Sequence, residues 1–246
     1  MKETRTLMGM TIIIEIVDSH ATQEIIEKVF DYLKYVDEKF STYKDSSEIN
    51  GINRGELKVS EASEDMKEIF GLAEKTKQET NGYFDIRKPD GKYDPSGLVK
   101  GWAIRNSARI LDQEGFKNFY VDIGGDVEVR GLNLDKKKWS IGIKNPFNEN
   151  EIVKVVHLTN CGIATSGTYI RGQHIYNPHE SGLLEEIKSL TVIGPDVYEA
   201  DRFATATFAM GRKGIYFLEN LPLLEGYMID NKGVGTSTSG LETYTK

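Results

Sequence analysis

The sequence contains a single cysteine, Cys161, so no disulfide can form within the chain. It has no apolar run long enough to span a bilayer, no low-complexity tract and no linker rich in proline and serine. The first apolar run begins near Met10, and no small-residue cleavage site follows it. We therefore expect a cytoplasmic protein, or an exported one if a signal has been removed.

An excess of basic residues is also missing, because 38 acidic side chains face 31 basic ones and the formal net charge is -7. Nucleic acids and membrane surfaces are polyanions, so we expect no nucleic-acid partner and no direct membrane contact. Hydrophobic residues make up 39% and charged residues 28%, a balance typical of folded domains. We predict a single domain over residues 1–246.

Apolar residues recur at helical spacing in four segments. The predicted helices cover residues 22–40, a segment from 60 to before 82, a segment from just after 100 to 115, and residues 198–210.

Period-two alternation predicts strands elsewhere, and we expect the first of them at residues 10–17. The others are predicted at 119–123, 127–129, 139–143, 151–158, 189–193 and 226–229. Because helices come first and adjacent strands follow, we predict an α+β fold with largely antiparallel sheets packed with helices.

Asp201 and Thr205 are four residues apart in the fourth predicted helix, so their oxygens project from one face. A carboxylate and a hydroxyl in this arrangement can hold Mg²⁺, which prefers oxygen ligands. The alternative is an exposed Asp near a helix N-terminus and a Thr bonded to its own backbone. Spacing alone favours the alternative.

The segment from Asp94 to Trp102 is a turn of small residues that runs into a helix. Free N–H groups at a helix N-terminus suit an anion, and Lys100 adds a positive charge. The glycine spacing excludes a Walker A loop. The alternative is that Ser96 only caps the helix.

Two further segments that contain glycine are candidate binding segments. Gly124 and Gly125 join two predicted strands and allow either an ordinary hairpin turn or the close approach of a flat ligand. Thr165, Ser166 and Gly167 precede Arg171 and His174, and these groups can surround a phosphate or the edge of a ring. The alternative for the second segment is a polar surface loop.

The polar stretch after the first helix contains Tyr43, which can stack on a ring or lie in a connection between helices.

Taken in order, these segments resemble the FAD:protein FMN transferase family, also called the ApbE family. The similarity extends from Met8 to about Asp230. The matching segments are Met8-Gly9, Phe40-Ser41-Thr42-Tyr43, Ser47-Glu48-Ile49-Asn50, Asn81-Gly82-Tyr83-Phe84-Asp85, Ser96-Gly97-Leu98-Val99-Lys100-Gly101, Ile123-Gly124-Gly125-Asp126, Thr165-Ser166-Gly167, His174-Ile175-Tyr176-Asn177-Pro178 and Ala200-Asp201-Arg202-Phe203-Ala204-Thr205-Ala206.

The resemblance implies a T-fold-like α+β protein that binds FAD as a substrate together with Mg²⁺ or Mn²⁺. It implies metal ligands at Asp201, Thr205 and the carbonyl of Gly97. The flavin contacts that it implies are Met8, Tyr43, Tyr83, Phe84, Asp85, Asp94, Lys100, His174 and Ile175. To these we add Gly124, Gly125, Thr165, Ser166 and Gly167 as candidate FAD-binding residues.

The activity implied by the resemblance is cleavage of FAD, with transfer of FMN to a Ser or Thr hydroxyl of another protein and release of AMP. The acceptor segment resembles Asp-x-x-Ser/Thr-Gly/Ala-Ala-Thr, and any membrane contact would be made through the acceptor. We expect Lys100 or Arg171 to offset charge on the leaving AMP and His174 to accept the proton. The alternatives are an FAD pyrophosphatase and a flavin-binding protein without turnover.

Overall fold

The structure is a computed structural model that describes residues 1–167, 177–179 and 185–246. Its helices are α1 (Gln23–Phe40), α2 (Glu48–Asn53), α3 (Glu64–Glu79), α4 (Ser96–Gln113), α5 (Val197–Ala209) and α6 (Lys213–Glu219). Its strands are β1 (Lys2–Leu7), β2 (Met10–Ile16), β3 (Phe119–Ile123), β4 (Asp126–Arg130), β5 (Trp139–Asn145), β6 (Asn148–Leu158), β7 (Cys161–Gly167), β8 (Ile187–Gly194), β9 (Glu225–Asp230) and β10 (Gly235–Ser237). Within the described ranges, no helix combines the length and the apolar character needed to cross a membrane.

Eight strands form one sheet in the order β1-β2-β3-β4-β7-β8-β9-β10, and every neighbouring pair is antiparallel. Strands β5 and β6 form a separate antiparallel pair. The α+β prediction with antiparallel sheets is therefore confirmed.

The hydrophobic core follows from the amphipathic patterns of the helices and strands. Helix α1 buries Ile26, Val29 and Leu33 on one face, and this face packs with α3, α4, β2 and β3 in the largest apolar cluster. Helices α5 and α6 pack on β7, β8 and β9 in a second cluster. A third cluster joins β4, β7 and β8 to the β5–β6 pair. The helices and the β5–β6 pair thus pack on the sheet around its centre, where β4 and β7 are neighbours.

The strand predicted at 10–17 is present as β2 but is not the first, because β1 precedes it. Strand β1 pairs with β2 from Lys2 opposite Glu15 to Leu7 opposite Met10. Strand β1 lies at the edge of the sheet and no residue in it is fully buried. An edge strand needs few apolar residues, so its sequence carries little hydrophobic signal.

The predicted starts of two helices are also wrong. Helix α3 begins at Glu64 because Ser63 Oγ accepts the N–H of Met66 at 3.4 Å, whereas Val59–Glu61 is a 3₁₀ turn. Helix α4 begins at Ser96 rather than after Lys100. Helices α2 and α6, which have six and seven residues, were not predicted because such short segments show little periodicity.

Helices α4 and α5 pack closely because two glycines of α4 face α5. A Cβ on Gly101 would lie 2.7 Å from Cβ of Asp201 and 2.9 Å from the Val197 carbonyl oxygen. A Cβ on Gly97, one turn earlier, would lie 3.1 Å from Cγ2 of Thr205. The missing side chains let the backbone of α4 approach the polar face of α5, which carries Asp201 and Thr205.

We predict that Gly101→Ala destabilises the protein while Gly71→Ala does not. Gly71 lies in α3, and a Cβ there would meet no atom within 4 Å, so alanine should stabilise the protein by up to about 1 kcal/mol. At Gly101 the added methyl must push α5 away, a change that typically destabilises by about 1–3 kcal/mol. Urea unfolding measures both. Equal stabilisation by the two substitutions would contradict the close packing of α4 on α5.

Candidate active site

A cleft of about 1100 Å³ opens where the N-terminal end of α4, the β3–β4 turn, the end of β7 and one face of α5 meet. Most of the residues predicted to form a site line this cleft, although they are spread over more than 160 positions of the sequence. They are Tyr43, Tyr83, Phe84, Asp85, Asp94, Gly97, Lys100, Gly124, Gly125, Thr165, Ser166, Gly167, Asp201 and Thr205.

The remaining predicted residues are placed differently. Met8 packs against the largest apolar cluster, and its neighbours Gly9 and Met10 line the cleft in its place. Arg171, His174 and Ile175 lie outside the described residues, so their predicted roles stay predictions.

Several lining residues were not predicted as site residues: Lys88, Tyr120, Asp122, Asp126 and residues 140–144 of β5. Asp126 directly follows the paired glycines, and this position could have indicated that it is a site residue. Strand β5 showed only the period-two pattern of a strand, and nothing in that pattern places it at the cleft.

The three predicted metal ligands lie together. The backbone N–H of Gly101 donates to Oδ2 of Asp201 at 2.7 Å. The Gly97 carbonyl oxygen accepts from the hydroxyl of Thr205 at 3.2 Å, and Ser166 Oγ lies 3.4 Å from the same hydroxyl. Carboxylate, carbonyl and hydroxyl oxygens therefore converge on one wall of the cleft.

Lys100 lies between two buried carboxylates. Its Nζ is 2.5 Å from Oδ2 of Asp126 and 3.9 Å from Oδ1 of Asp201. Oδ1 of Asp126 also accepts the backbone N–H of Thr165 at 3.0 Å. Burial raises the pKa of Asp201, whereas the positive charge of Lys100 lowers it and the nearby Asp126 raises it further. Lys100 therefore favours the ionised form of a carboxylate that burial alone would protonate.

These oxygens fit a hard divalent cation. Within the described ranges no three His, Cys, Asp or Glu side chains form a group that could hold a metal ion. An ion held by the three predicted ligands would take one carboxylate and two neutral oxygens. Mg²⁺ accepts such incomplete sets because phosphate and water complete its shell. The described lining also carries five aspartates against three lysines. A bound cation would offset part of this negative charge when a diphosphate enters.

A second polar group lies at the β3–β4 turn. Asp122 accepts from the hydroxyl of Tyr120 at 2.9 Å and from the N–H of Gly125 at 2.8 Å. Burial raises the pKa of Asp122, and these two hydrogen bonds oppose the shift. The φ angles of Gly124 and Gly125 are 63° and 96°, which is the conformation a two-residue hairpin turn requires. The paired glycines thus form the hairpin turn that was one of the two alternatives, and both residues line the cleft.

Tyr43 is 96% exposed although it lines the cleft. An aromatic ring this exposed is available to stack on a flat ligand.

Glu128 of β4 fixes the start of α5. It is fully buried, and its Oε2 accepts the N–H of Val197, the first residue of α5, at 2.6 Å. Its other oxygen pairs with Arg130. Burial raises the pKa of Glu128 to about 7, and the nearby Asp196 adds to the shift, while Arg130 and the Val197 N–H oppose it. Helix α5 carries Asp201 and Thr205, so this contact helps to set their positions.

We predict that Glu128→Gln changes how stability depends on pH. The folded protein binds the Glu128 proton more tightly than the unfolded chain, so this group lowers the free energy of unfolding as pH rises from about 4.5 to about 7. Glutamine keeps an oxygen for the Val197 N–H but does not titrate. Urea unfolding at pH 4.5 and pH 8 should show the variant gaining stability relative to the parent as pH rises. A difference that is constant with pH would show that the buried carboxyl does not titrate in this way.

Fold and cleft together define a mixed α+β protein with an oxygen-lined site beside a half-buried lysine. A family model described as "ApbE family" matches residues 8–88 and 86–228, so the chain belongs to the ApbE family.

Named relatives agree with this membership. The FAD:protein FMN transferase of Escherichia coli (strain K12) is 31% identical over 180 residues, which are 68% of this chain and 51% of that protein. The chain thus spans about half the length of that relative. The FAD:protein FMN transferase of Haemophilus influenzae is 25% identical over 325 aligned positions, covering 100% of this chain and 93% of that protein. The crystal structure of the ApbE protein of Thermotoga maritima shares the fold, with a TM-score of 0.89, 20% identity and coverage of 100% and 99%.

Proposed function

We infer that the protein is an FAD:protein FMN transferase, which cleaves FAD and transfers FMN to a Ser or Thr hydroxyl of an acceptor protein. Family membership and the names of the relatives support the reaction. The observation that carries it to this chain is the convergence of Gly97, Asp201 and Thr205 oxygens in an acidic cleft large enough for a dinucleotide. The order of two strands, four helices and two strands at the start of the chain also supports a T-fold-like arrangement.

Gly97, Asp201 and Thr205 would hold the cation, Mg²⁺ or Mn²⁺. A bound cation supplies positive charge that offsets the negative charge of a diphosphate. Lys100 pairs with Asp126 and lies near Asp201, so we assign it to holding these two carboxylates in place rather than to the leaving AMP. Exposed Tyr43 would stack on one of the two ring systems of FAD.

In the reaction, the acceptor hydroxyl oxygen attacks the phosphorus of the FMN half. A new P–O bond forms, the bond between that phosphorus and the bridging oxygen breaks, and AMP leaves with the bridging oxygen. The hydroxyl proton passes to a base of the enzyme. His174 remains our candidate for this base and Arg171 for neutralising the leaving AMP.

Incubation of the protein with FAD and Mg²⁺, with and without an acceptor protein, tests this function. The transferase releases AMP only with the acceptor, whose mass increases by one FMN. Release of AMP and free FMN without acceptor would identify a pyrophosphatase. No release under either condition would leave a flavin-binding protein without turnover.

We predict that Asp201→Ala lowers metal-dependent AMP release by about 100-fold or more, because even residues that support a metal ligand contribute 10- to 100-fold. Asp201 supplies the one formal negative charge of the proposed ligand set. Thr205→Ala removes a neutral oxygen and should lower AMP release less, by about 10-fold. AMP release against Mg²⁺ concentration measures both.

Thr207→Ala is the matched control, because it makes the same change two residues further along α5. The Thr207 hydroxyl donates to the Phe203 carbonyl and the residue is buried away from the cleft. We expect the parent's metal dependence from this variant. A folded Asp201→Ala protein with the parent's metal curve would place the metal site elsewhere.

A further inference from the structure

Strand β5 lines the cleft with five consecutive residues, from Ser140 to Lys144. Successive side chains of a strand point to opposite faces, so a cleft that meets one face is lined by alternate residues. Five consecutive residues indicate that the cleft meets the edge of the strand, where the main-chain N–H and C=O groups lie.

This edge has no partner strand among the described residues. Strand β5 pairs with β6 alone, in a two-stranded sheet, and in the described parts of the chain no backbone hydrogen bond joins residues 140–144 to any other segment. An unpaired edge is a template for another extended chain. Five residues of it extend about 17 Å at 3.4 Å per residue.

We propose that an extended segment of the acceptor protein adds to β5 as a third strand and so enters the cleft. This proposal rests on the proposed function, because that reaction requires a polypeptide hydroxyl to reach the FMN phosphorus. Main-chain pairing along a sheet edge recognises an extended peptide through its backbone.

The position of β5 supports this choice of ligand. The rings of Trp139 on β5 and Tyr120 on β3 are 5.5 Å apart, and Tyr120 bonds to Asp122, which interacts electrostatically with Asp126. Asp126 in turn pairs with Lys100. Residues 140–144 line the same cleft as Lys100, Asp126 and Asp201, so a strand added to β5 would share the cleft with this group of charges.

The partner strand β6 offers apolar surface to a polypeptide. Ile152, Val153 and Val155 are 48%, 36% and 44% exposed. Ile152 also covers Gly142 of β5, because a Cβ on Gly142 would lie 2.7 Å from Cδ1 of Ile152. Side chains of an added strand could pack on this surface, whereas a dinucleotide has little aliphatic surface to place there. The combination of backbone edge and aliphatic side chains favours a peptide over the flavin ring.

The test uses a synthetic peptide with the sequence Asp-Ala-Ala-Thr-Gly-Ala-Thr, flanked by two alanines on each side, as acceptor. A set of peptides carries one N-methyl group each, at successive positions along the peptide. Because alternate N–H groups of an added strand face its neighbour, we expect a tenfold or greater loss of transfer rate at every second position. Losses at all positions alike, or at none, would overturn the proposal.

Enzyme variants separate docking from FAD binding. Ile152→Ser and Val155→Ser, both on exposed positions of β6, should raise the KM for the peptide at least threefold and leave the FAD dissociation constant unchanged. Leu223→Ser is the control, because Leu223 is 78% exposed and lies outside β5 and β6. Weaker FAD binding by the β6 variants would assign this surface to the flavin and overturn the proposal.

Different results would contradict docking along β5 and the proposed transferase function. If the parent enzyme transfers FMN to the unmodified peptide but the methyl scan shows no alternation, docking along β5 is wrong and the function stands. If it releases no AMP with either the peptide or a whole acceptor protein, the proposed function is wrong, and this proposal is overturned with it.

Discussion

The buried carboxylate of Asp201 is the group on which the arrangement of the cleft depends. One of its oxygens accepts the N–H of Gly101, and the other faces Lys100. Removing a charge from water is unfavourable unless partners replace the lost hydration. Here the partners come from α4, so α4 and α5 must lie close enough for a backbone N–H to reach the carboxylate. Gly101 permits that distance because it has no side chain.

Other features of the fold follow from this contact. Lys100 brings Asp126 into the same group of charges, which ties the β3–β4 turn to α4. Asp126 also accepts the N–H of Thr165, so the end of β7 is held at the same place. Glu128 fixes the first residue of α5 from β4. Four segments that are distant in the sequence thus meet around a few buried charges, and the cleft is the space between them.

The long helices and the central strands could be predicted because each buries one face and shows the corresponding period. The polar edge strand β1 and the short helices α2 and α6 could not, since little of their surface is apolar or their length is too small for a period. Asp201, Thr205 and Gly97 were predicted as ligands through family resemblance, because their spacing alone does not distinguish a metal site from an ordinary helix. The role proposed for β5 depends on tertiary packing that brings a strand edge to the cleft, and the contact made by Glu128 depends on its burial beneath α5. Neither the placement of β5 nor the burial of Glu128 produces a pattern in the neighbouring sequence.

The binding of FAD as a function of Mg²⁺ tests the central claim most directly, because it requires no turnover and no acceptor. The described lining carries more aspartates than lysines, so a cation held at Asp201 should be needed before a diphosphate can bind. Flavin fluorescence titrations should show at least tenfold tighter binding in Mg²⁺ than in EDTA for the parent, and no such gain for Asp201→Ala. Equal FAD affinity with and without Mg²⁺ in the parent, or the same gain in the variant, would contradict the account.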